Sequence, residues 1–304
     1  MKNHNLFLII FFILSFFLRF FKSENYLNLP SILLGSLLPI LIYFLITQIN
    51  QKAYKTAIIA TIVATFNPYL IIFSRSSNAW PSNILTFSLV LISLLLFKYI
   101  NSKSLKYLFT CILIFIIPIV YGLFFSNVGA ATLFNYSRPA AETQTIINET
   151  SKNDYQIFHN QFVFFLRNFS SHYFNYFSPR FLIFEGDWQN TQYLPPYVGV
   201  ILYPSLIFLI LGIFFALTRK KLDKINLFFL FWLLIAPIPA ALTQSSIQVA
   251  IAMPISIPLI YFISLGIYFV TSKYKNIILY LFIIGIYLAS FFYYADLYLN
   301  HLIR

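Results

Sequence analysis

The feature that most constrains this chain is a series of apolar blocks, each about 18 to 24 residues long and nearly free of charge. An α-helix rises about 1.5 Å per residue, so a block of that length spans the roughly 30 Å of a bilayer's hydrocarbon core. In lipid every backbone amide must be satisfied internally, which leaves helices or closed barrels. No strand-length alternating pattern with turn signals accompanies the blocks, so helices are expected. Composition agrees: of 304 residues, 60% are hydrophobic and only 9% charged, against about a quarter charged in soluble domains. Such a chain cannot cover a water-facing surface, which excludes a soluble enzyme, a disordered tail and a nucleic-acid module. The single cysteine, Cys111, lies inside an apolar block, which excludes disulfide frameworks and cysteine metal sites.

The expected fold class is all-α: a polytopic transmembrane bundle of about nine spans, near residues 5–22, 31–49, 56–73, 84–100, 107–125, 198–217, 225–243, 248–271 and 276–296. The first segment is too long and aromatic, and lacks the small-residue cleavage site, for a removable signal peptide. Charge sets the orientation. With the N-terminus in the cytoplasm, twelve Lys and Arg fall on the inner face, including Lys52, Lys55, Lys98, Lys103, Lys106, Arg219, Lys220, Lys221 and Lys224, and eight fall outside. Seven of the eight acids are also outside, leaving Asp223 alone within. The net charge of +12 is therefore mostly topology, about +11 inside and +1 outside, as the positive-inside rule requires. It needs no nucleic-acid partner. The chain reads as a multi-pass protein of the cell membrane.

Three regions follow: about five N-terminal helices in residues 1–125, an extracytoplasmic loop over 126–197, and about four C-terminal helices in 198–304. Loops as long as the central one are usually functional, and this one holds five of the eight acids and two of the four histidines. Its first part, Ser126 to Asp154, is polar and reads as a lid. Its second part, Ile157 to Phe184, interleaves aromatics with His159, Arg167 and His172. Too polar to span, it suits an amphipathic helix at the lipid interface with Arg167 and His172 kept wet.

Candidate chemistry gathers around Phe177 to Asp187, where Arg180, Glu185 and Asp187 fall within eight residues beside a turn signal at Gly186. A carboxylate there suits a general base and the planar fork of Arg180 suits a phosphate; a solvated turn closing the interfacial helix is the competing reading. Arg75, where the third span leaves the membrane on the outer side, is placed either for a lipid-linked phosphate or for snorkelling to the headgroups. Arg19 reads as snorkelling alone. His159 and His172 are thirteen residues apart, which fits no helical zinc pair, so hydrogen-bonded interfacial histidines are expected and a metal is not indicated. Pro237, Pro239, Pro254 and Pro258 interrupt the helical ladder, either opening a polar cavity or forming packed kinks.

An ordered set of fragments carries a resemblance: Asn28-Leu29-Pro30-Ser31 at a helix start, Phe66-Asn67-Pro68-Tyr69 followed by Phe73-Ser74-Arg75, the stretch Phe177 to Asp187, Pro196 to Tyr203 leading to Leu211-Gly212, and Trp232 to Thr243. Together they resemble bacterial GT-C fold glycosyltransferases, of the kind of the dolichyl-phosphate-mannose protein mannosyltransferases and lipid A aminoarabinose transferases. The resemblance implies transfer of a sugar from a polyprenyl-phosphate carrier to an acceptor on the non-cytoplasmic face. The implied partners are membrane lipid and the lipid-linked sugar, with no separate cofactor. It implies an outer carboxylate that deprotonates the acceptor, Glu185, Asp187 or Glu24, and arginines, Arg75 and Arg180, that hold the phosphate. The family's acidic pair in a long first outer loop is reduced here to Glu24 in a short one, and the outer His and Arg after the seventh span are absent from Gln244 to Ala250. Those departures keep two alternatives open: a shortened, non-catalytic GT-C scaffold and a lipid or glycan transporter. The lack of a mid-helix acid disfavours an ion-driven form of the latter.

Overall fold

The computed structural model describes residues 2–20, 28–76, 79–110, 113–114, 161–188, 194–195, 197–218, 223–274 and 276–302. Among them the chain is all-helical and without strands. The N-terminal helices are α1 (Lys2–Phe20), α2 (Leu29–Ile49), α3 (Tyr54–Thr65), α4 (Pro68–Arg75) and α5 (Trp80–Ser102). The loop contributes α6 (Gln161–Asn175), and the C-terminal group is α7 (Ser205–Thr218), α8 (Lys224–Ile235), α9 (Ile238–Ala241), α10 (Val249–Ala252), α11 (Ser256–Lys273) and α12 (Ile277–Leu297). Helices α2, α4, α5 and α9 carry proline in the first turn, Pro30, Pro68, Pro81 and Pro239, where the missing N–H costs nothing.

Among the described residues, five helices are long and apolar enough to cross a membrane, or six if the bent pair α3 and α4 forms one span; α1 and α7 are apolar but shorter. Faces turned away from the bundle are apolar too: Ile278, Leu281, Phe282 and Phe292 of α12 are exposed. A solvent of water would not tolerate such a surface, and these helices mark the chain as a membrane protein. Most of the segment expected at 107–125, the lid expected at 126–154, Cys111 and His159 lie outside the described residues.

Two centres organise the bundle. In the N-terminal half, α2 packs against α1, α3, α4 and α5; in the C-terminal half, α11 is enclosed by α3, α7 and α8. Hydroxyls in these cores bond back to their own helix, as Ser36 does to the Ile32 carbonyl, Thr61 to Ala57 and Ser264 to Ile260, which removes the cost of burying them. The α7–α11 crossing is the tightest. A Cβ added to Gly212 would sit 1.9 Å from the Phe262 carbonyl oxygen, and one added to Gly266 would sit 2.0 Å from that of Phe208. Only glycine lets the two backbones approach this closely, the small-residue packing that drives helix association in lipid.

Two expected spans, at 56–73 and 198–217, are not the single helices the sequence suggested. The segment expected at 56–73 bends by 52°, because Asn67, extended at φ −70° and ψ 121°, precedes Pro68 and is excluded from the helix by the ring. The Asn67 side chain restores what the break frees: its Oδ1 accepts the Leu70 N–H at 3.0 Å and its Nδ2 donates to the Val200 carbonyl at 3.2 Å. The segment expected at 198–217 becomes helical only at Ser205. Residues 198–201 instead lie on the turn before them, with the Gly186 N–H donating to the Val198 carbonyl, Val200 N–H to Phe181 and Ile201 N–H to Leu182. The segments expected at 225–243 and 248–271 each remain one candidate span, Lys224–Ala241 and Val249–Lys273, with local interruptions at Ala236–Pro237 and at a 3-10 turn, Met253–Ile255. Met253, Ile255, Ser256 and Ile257 are fully buried there, so the Pro254 and Pro258 kink is filled by packing and opens no cavity.

Candidate functional site

Polar side chains converge at the end of the bundle where α1, α4 and α12 terminate and α2 and α5 begin. Arg19, in the last turn of α1, is 0% exposed. Its Nη1 donates to the Ser15 hydroxyl at 2.6 Å and the Ser15 carbonyl at 3.2 Å. Gly35 makes room for it: a Cβ there would lie 2.5 Å from Ser74 Cβ and 3.3 Å from Arg19 Nε. The snorkelling expected of Arg19 is thus contradicted. The side chain turns into the junction of α1, α2 and α4, because Ser15 one turn back offers an acceptor and Gly35, without a Cβ, lets the guanidinium approach α2. Arg75, at the end of α4, is 7% exposed and lies 4.8 Å from the centre of the Tyr298 ring, so it too stays inside and does not reach for headgroups. Asn28 Nδ2 fixes its carbonyl at 2.9 Å. Tyr294 feels the charge of both arginines and donates to the Pro68 carbonyl at 3.3 Å.

The Phe177 to Asp187 stretch separates its charged residues into two settings. Residues Arg180–Phe184 form a π-helical turn, pinned by the three backbone bonds to 198–201. On its outside, Arg180 and Glu185 pair at 2.6 Å, and the guanidinium lies 4.5 Å from the Trp188 ring. Both partners are substantially exposed, so this pair contributes little to stability. Asp187 points the other way and is only 6% exposed. It acts electrostatically on Tyr69 and Tyr176. Tyr69 donates to the Val249 carbonyl, and the Tyr176 hydroxyl accepts the Gln248 N–H at 2.9 Å. Burial raises the Tyr176 hydroxyl above its ordinary value, and the nearby Asp187 charge adds to that rise. A neutral tyrosine beside a buried carboxylate is a polar pocket within an apolar frame, suited to holding a hydroxyl against a base.

Of the residues singled out from the sequence, Glu185 and Arg180 are joined to each other, Asp187 is buried apart from them, and Arg75 is buried beside Tyr298. Glu24 lies outside the described residues. Sequence reasoning missed Tyr69, Tyr176, Tyr294 and the true position of Arg19. The available signal for Arg19 was Ser15, four residues earlier on an otherwise apolar helix, where an i, i+4 pair shares one face.

An apolar cavity of about 280 Å³ runs between α3, α11 and α12, lined by Ile62, Phe66, Leu202, Thr271, Tyr287 and Phe291 among others. A narrower cleft shares Leu202 with it and continues to Pro68, Ser290 and Tyr294. Tyr294, which lines the cleft, also feels the charge of Arg19 and Arg75. Searches of protein families, curated proteins and solved structures find no match to this chain. Among the described residues, no three His, Cys, Asp or Glu side chains converge as metal ligands would.

Helix α6 carries His172, whose Nδ1 donates to the Thr243 carbonyl at 3.2 Å. His172 is half-buried against the turn after α9 and is not the water-facing residue expected, because the same face of α6 also docks Tyr173 on the Leu234 carbonyl. Burial holds the imidazole below its usual 6.5, outweighing its bonds to the Thr243 and Ala241 carbonyls. The unfolded chain therefore takes up the proton first. Stability is full above about pH 6.5 and falls as the pH drops toward the folded value. Melting of the detergent-solubilised protein between about pH 7 and pH 5 should show this decline, and His172→Gln should flatten it.

Proposed function

We propose that this chain is a nine-span GT-C-like glycosyltransferase that takes a sugar from a polyprenyl-phosphate carrier and transfers it to an acceptor on the non-cytoplasmic face. The observation that carries the reading is the apolar cavity along α12 and the cleft beside it, which reaches Tyr294, a tyrosine within the field of the buried Arg19 and Arg75. An isoprenoid chain needs an apolar, lipid-accessible channel, and its phosphate needs cations held where the chain ends. In this reading the acceptor hydroxyl attacks the anomeric carbon, the bond from that carbon to the phosphate oxygen breaks, and polyprenyl phosphate leaves. Asp187 takes the hydroxyl proton, with Tyr69 and Tyr176 shaping its pocket. Arg75 balances the charge that grows on the leaving phosphate, and Arg180, tied to Glu185, lines the entrance.

Two further features support a membrane-face assignment. Phe162, Leu166 and Phe174 of α6 are exposed, an apolar stripe at helical spacing that suits a helix lying on the lipid interface. Tyr176 follows directly on that helix and lies near Asp187, so the helix adjoins the proposed base.

A polyprenyl phosphate with a photoreactive group in its chain tests the reading. Irradiation of membranes, followed by peptide mapping, should place the adduct on α12 or α3 around Phe291, Tyr287 and Ile62. Adducts spread over the exposed faces of α1 and α7 would mean that the cavity does not take the carrier.

A further inference from the structure

The guanidinium of Arg19 is only half used. Nη1 is engaged by Ser15, while Nε and Nη2, both buried, have no hydrogen-bond partner. Those two nitrogens form one edge of the guanidinium plane, the side-on fork that matches two oxygens of a single anion. A charged group so placed carries a heavy desolvation cost, and it is tolerated here because Gly35, lacking a Cβ that would lie 3.3 Å from Nε, lets the guanidinium pack against α2. Ser74 Oγ, which donates to the Ile71 carbonyl, packs against the same side of Gly35. The buried Ser290 hydroxyl, also without a partner, lines the narrow cleft that reaches Tyr294. Two unpartnered nitrogens of a fully buried arginine, close to a tyrosine that also lines the narrow cleft, describe a place for an anion.

We infer that the free edge of Arg19 is a phosphate-binding fork, in which Nε and Nη2 each donate to one oxygen of a phosphate group carried on a lipid chain. Arg19 is thus a binding residue at the root of α1 that the family resemblance does not supply. The inference deepens the proposed function and rests on it for the lipid source alone; the phosphate chemistry follows from the geometry of the fork. Ordinary membrane lipid phosphates lie in the headgroup layer, whereas Arg19 is inside the bundle, so the phosphate must be drawn in with its chain along α12.

The test uses the full chain in phosphatidylcholine nanodiscs, with bound lipid read by native mass spectrometry. Polyprenyl monophosphate is the probe, polyprenol of the same length is the control, and inorganic phosphate is the competitor. Wild type should retain the monophosphate and not the polyprenol. Arg19→Met should weaken retention roughly 10- to 100-fold, the range expected for charge-assisted hydrogen bonds. It should also melt at the same temperature or higher, since it removes a buried charge that lacks a full set of partners; a merely structural arginine would lower the melting temperature. Arg19→Lys keeps the charge and loses the fork, and should fall between the two even if Arg19→Met fails to fold. Displacement of the lipid by inorganic phosphate would support the fork as a general phosphate site, and resistance to displacement would support the lipid-linked form. Unchanged retention in Arg19→Lys and Arg19→Met, or equal retention of polyprenol by wild type, would overturn the inference. Retention without any sugar transfer would leave the fork standing and remove the transferase, whereas transfer unaffected by Arg19→Met would do the reverse.

Discussion

Asp187→Asn is expected to lower sugar transfer by a factor of about 10² to 10⁴, the range seen when a general base is removed, while Glu185→Gln lowers it less than about tenfold. The two acids are separated by one residue, yet the turn places them on opposite sides. Glu185 is exposed and its Oε2 already accepts both Nε and Nη2 of Arg180, at 2.8 and 2.6 Å. A carboxylate so engaged is held at the surface by its partner, and losing it frees a surface arginine without disturbing the buried pocket. Asp187 is 6% exposed, faces the tyrosine pair Tyr69 and Tyr176, and sits where the apolar surroundings strengthen every electrostatic interaction. Asparagine keeps its shape and loses its ability to take a proton. Glu24→Gln belongs in the same series as the remaining outer acid. Transfer by membranes matched for protein content is the measurement, and an Asp187→Asn variant as active as wild type would remove Asp187 from the reaction.

Gly212→Leu is expected to prevent assembly of the C-terminal half, with solubilised protein lost to aggregation or with a stability loss of about 1–3 kcal/mol or more. The first carbon of the new side chain would meet the Phe262 carbonyl oxygen at 1.9 Å, and that oxygen belongs to a helix backbone that cannot rotate aside. Helix α11 is also the packing centre for α3 and α8, so pushing α7 away strains more than one interface. Gly266→Val acts from the opposite side against the Phe208 carbonyl and should give the same result. Gly285, with nothing within 4 Å of an added Cβ, supplies the control. Gly285→Ala should be neutral or stabilising by up to about 1 kcal/mol, since it only improves helix propensity. Size-exclusion profiles and helical melts of the three variants separate these outcomes.

Helical class was legible because block length and hydropathy alone dictate it. The helix start at Pro30 was legible for the same kind of local reason, a ring that tolerates only the first turn, whereas the starts at Pro68 and Trp80 did not coincide with the expected spans. The interruptions were harder to read. Asn67-Pro68 is visible as a dipeptide, but whether it kinks or terminates a span depends on whether the freed groups find partners, and here the partner is the Val200 carbonyl, 133 residues away in sequence. The site was half legible. Arg180, Glu185 and Asp187 could be named from spacing, but spacing did not reveal that a π-helical turn sends Asp187 inward and leaves the other two as an exposed pair. Arg19 looked like a snorkelling residue because its position near a helix end is compatible with that role. Its inward turn depends on Gly35 and Ser74, which belong to other helices. Tyr69, Tyr176 and Tyr294 carried no signal among 22 tyrosines.

The central claim is that the bundle uses a lipid-linked sugar. Membranes containing the wild-type chain, supplied with radiolabelled polyprenyl-phosphate hexose and with membrane proteins, lipids and glycans as acceptors, measure it directly. The account predicts label moving from the carrier to an acceptor, with polyprenyl phosphate released in equal amount and with the transfer abolished in Asp187→Asn. Label that stays on the carrier with every acceptor, in membranes where the same protein is folded and retains the carrier, would contradict it.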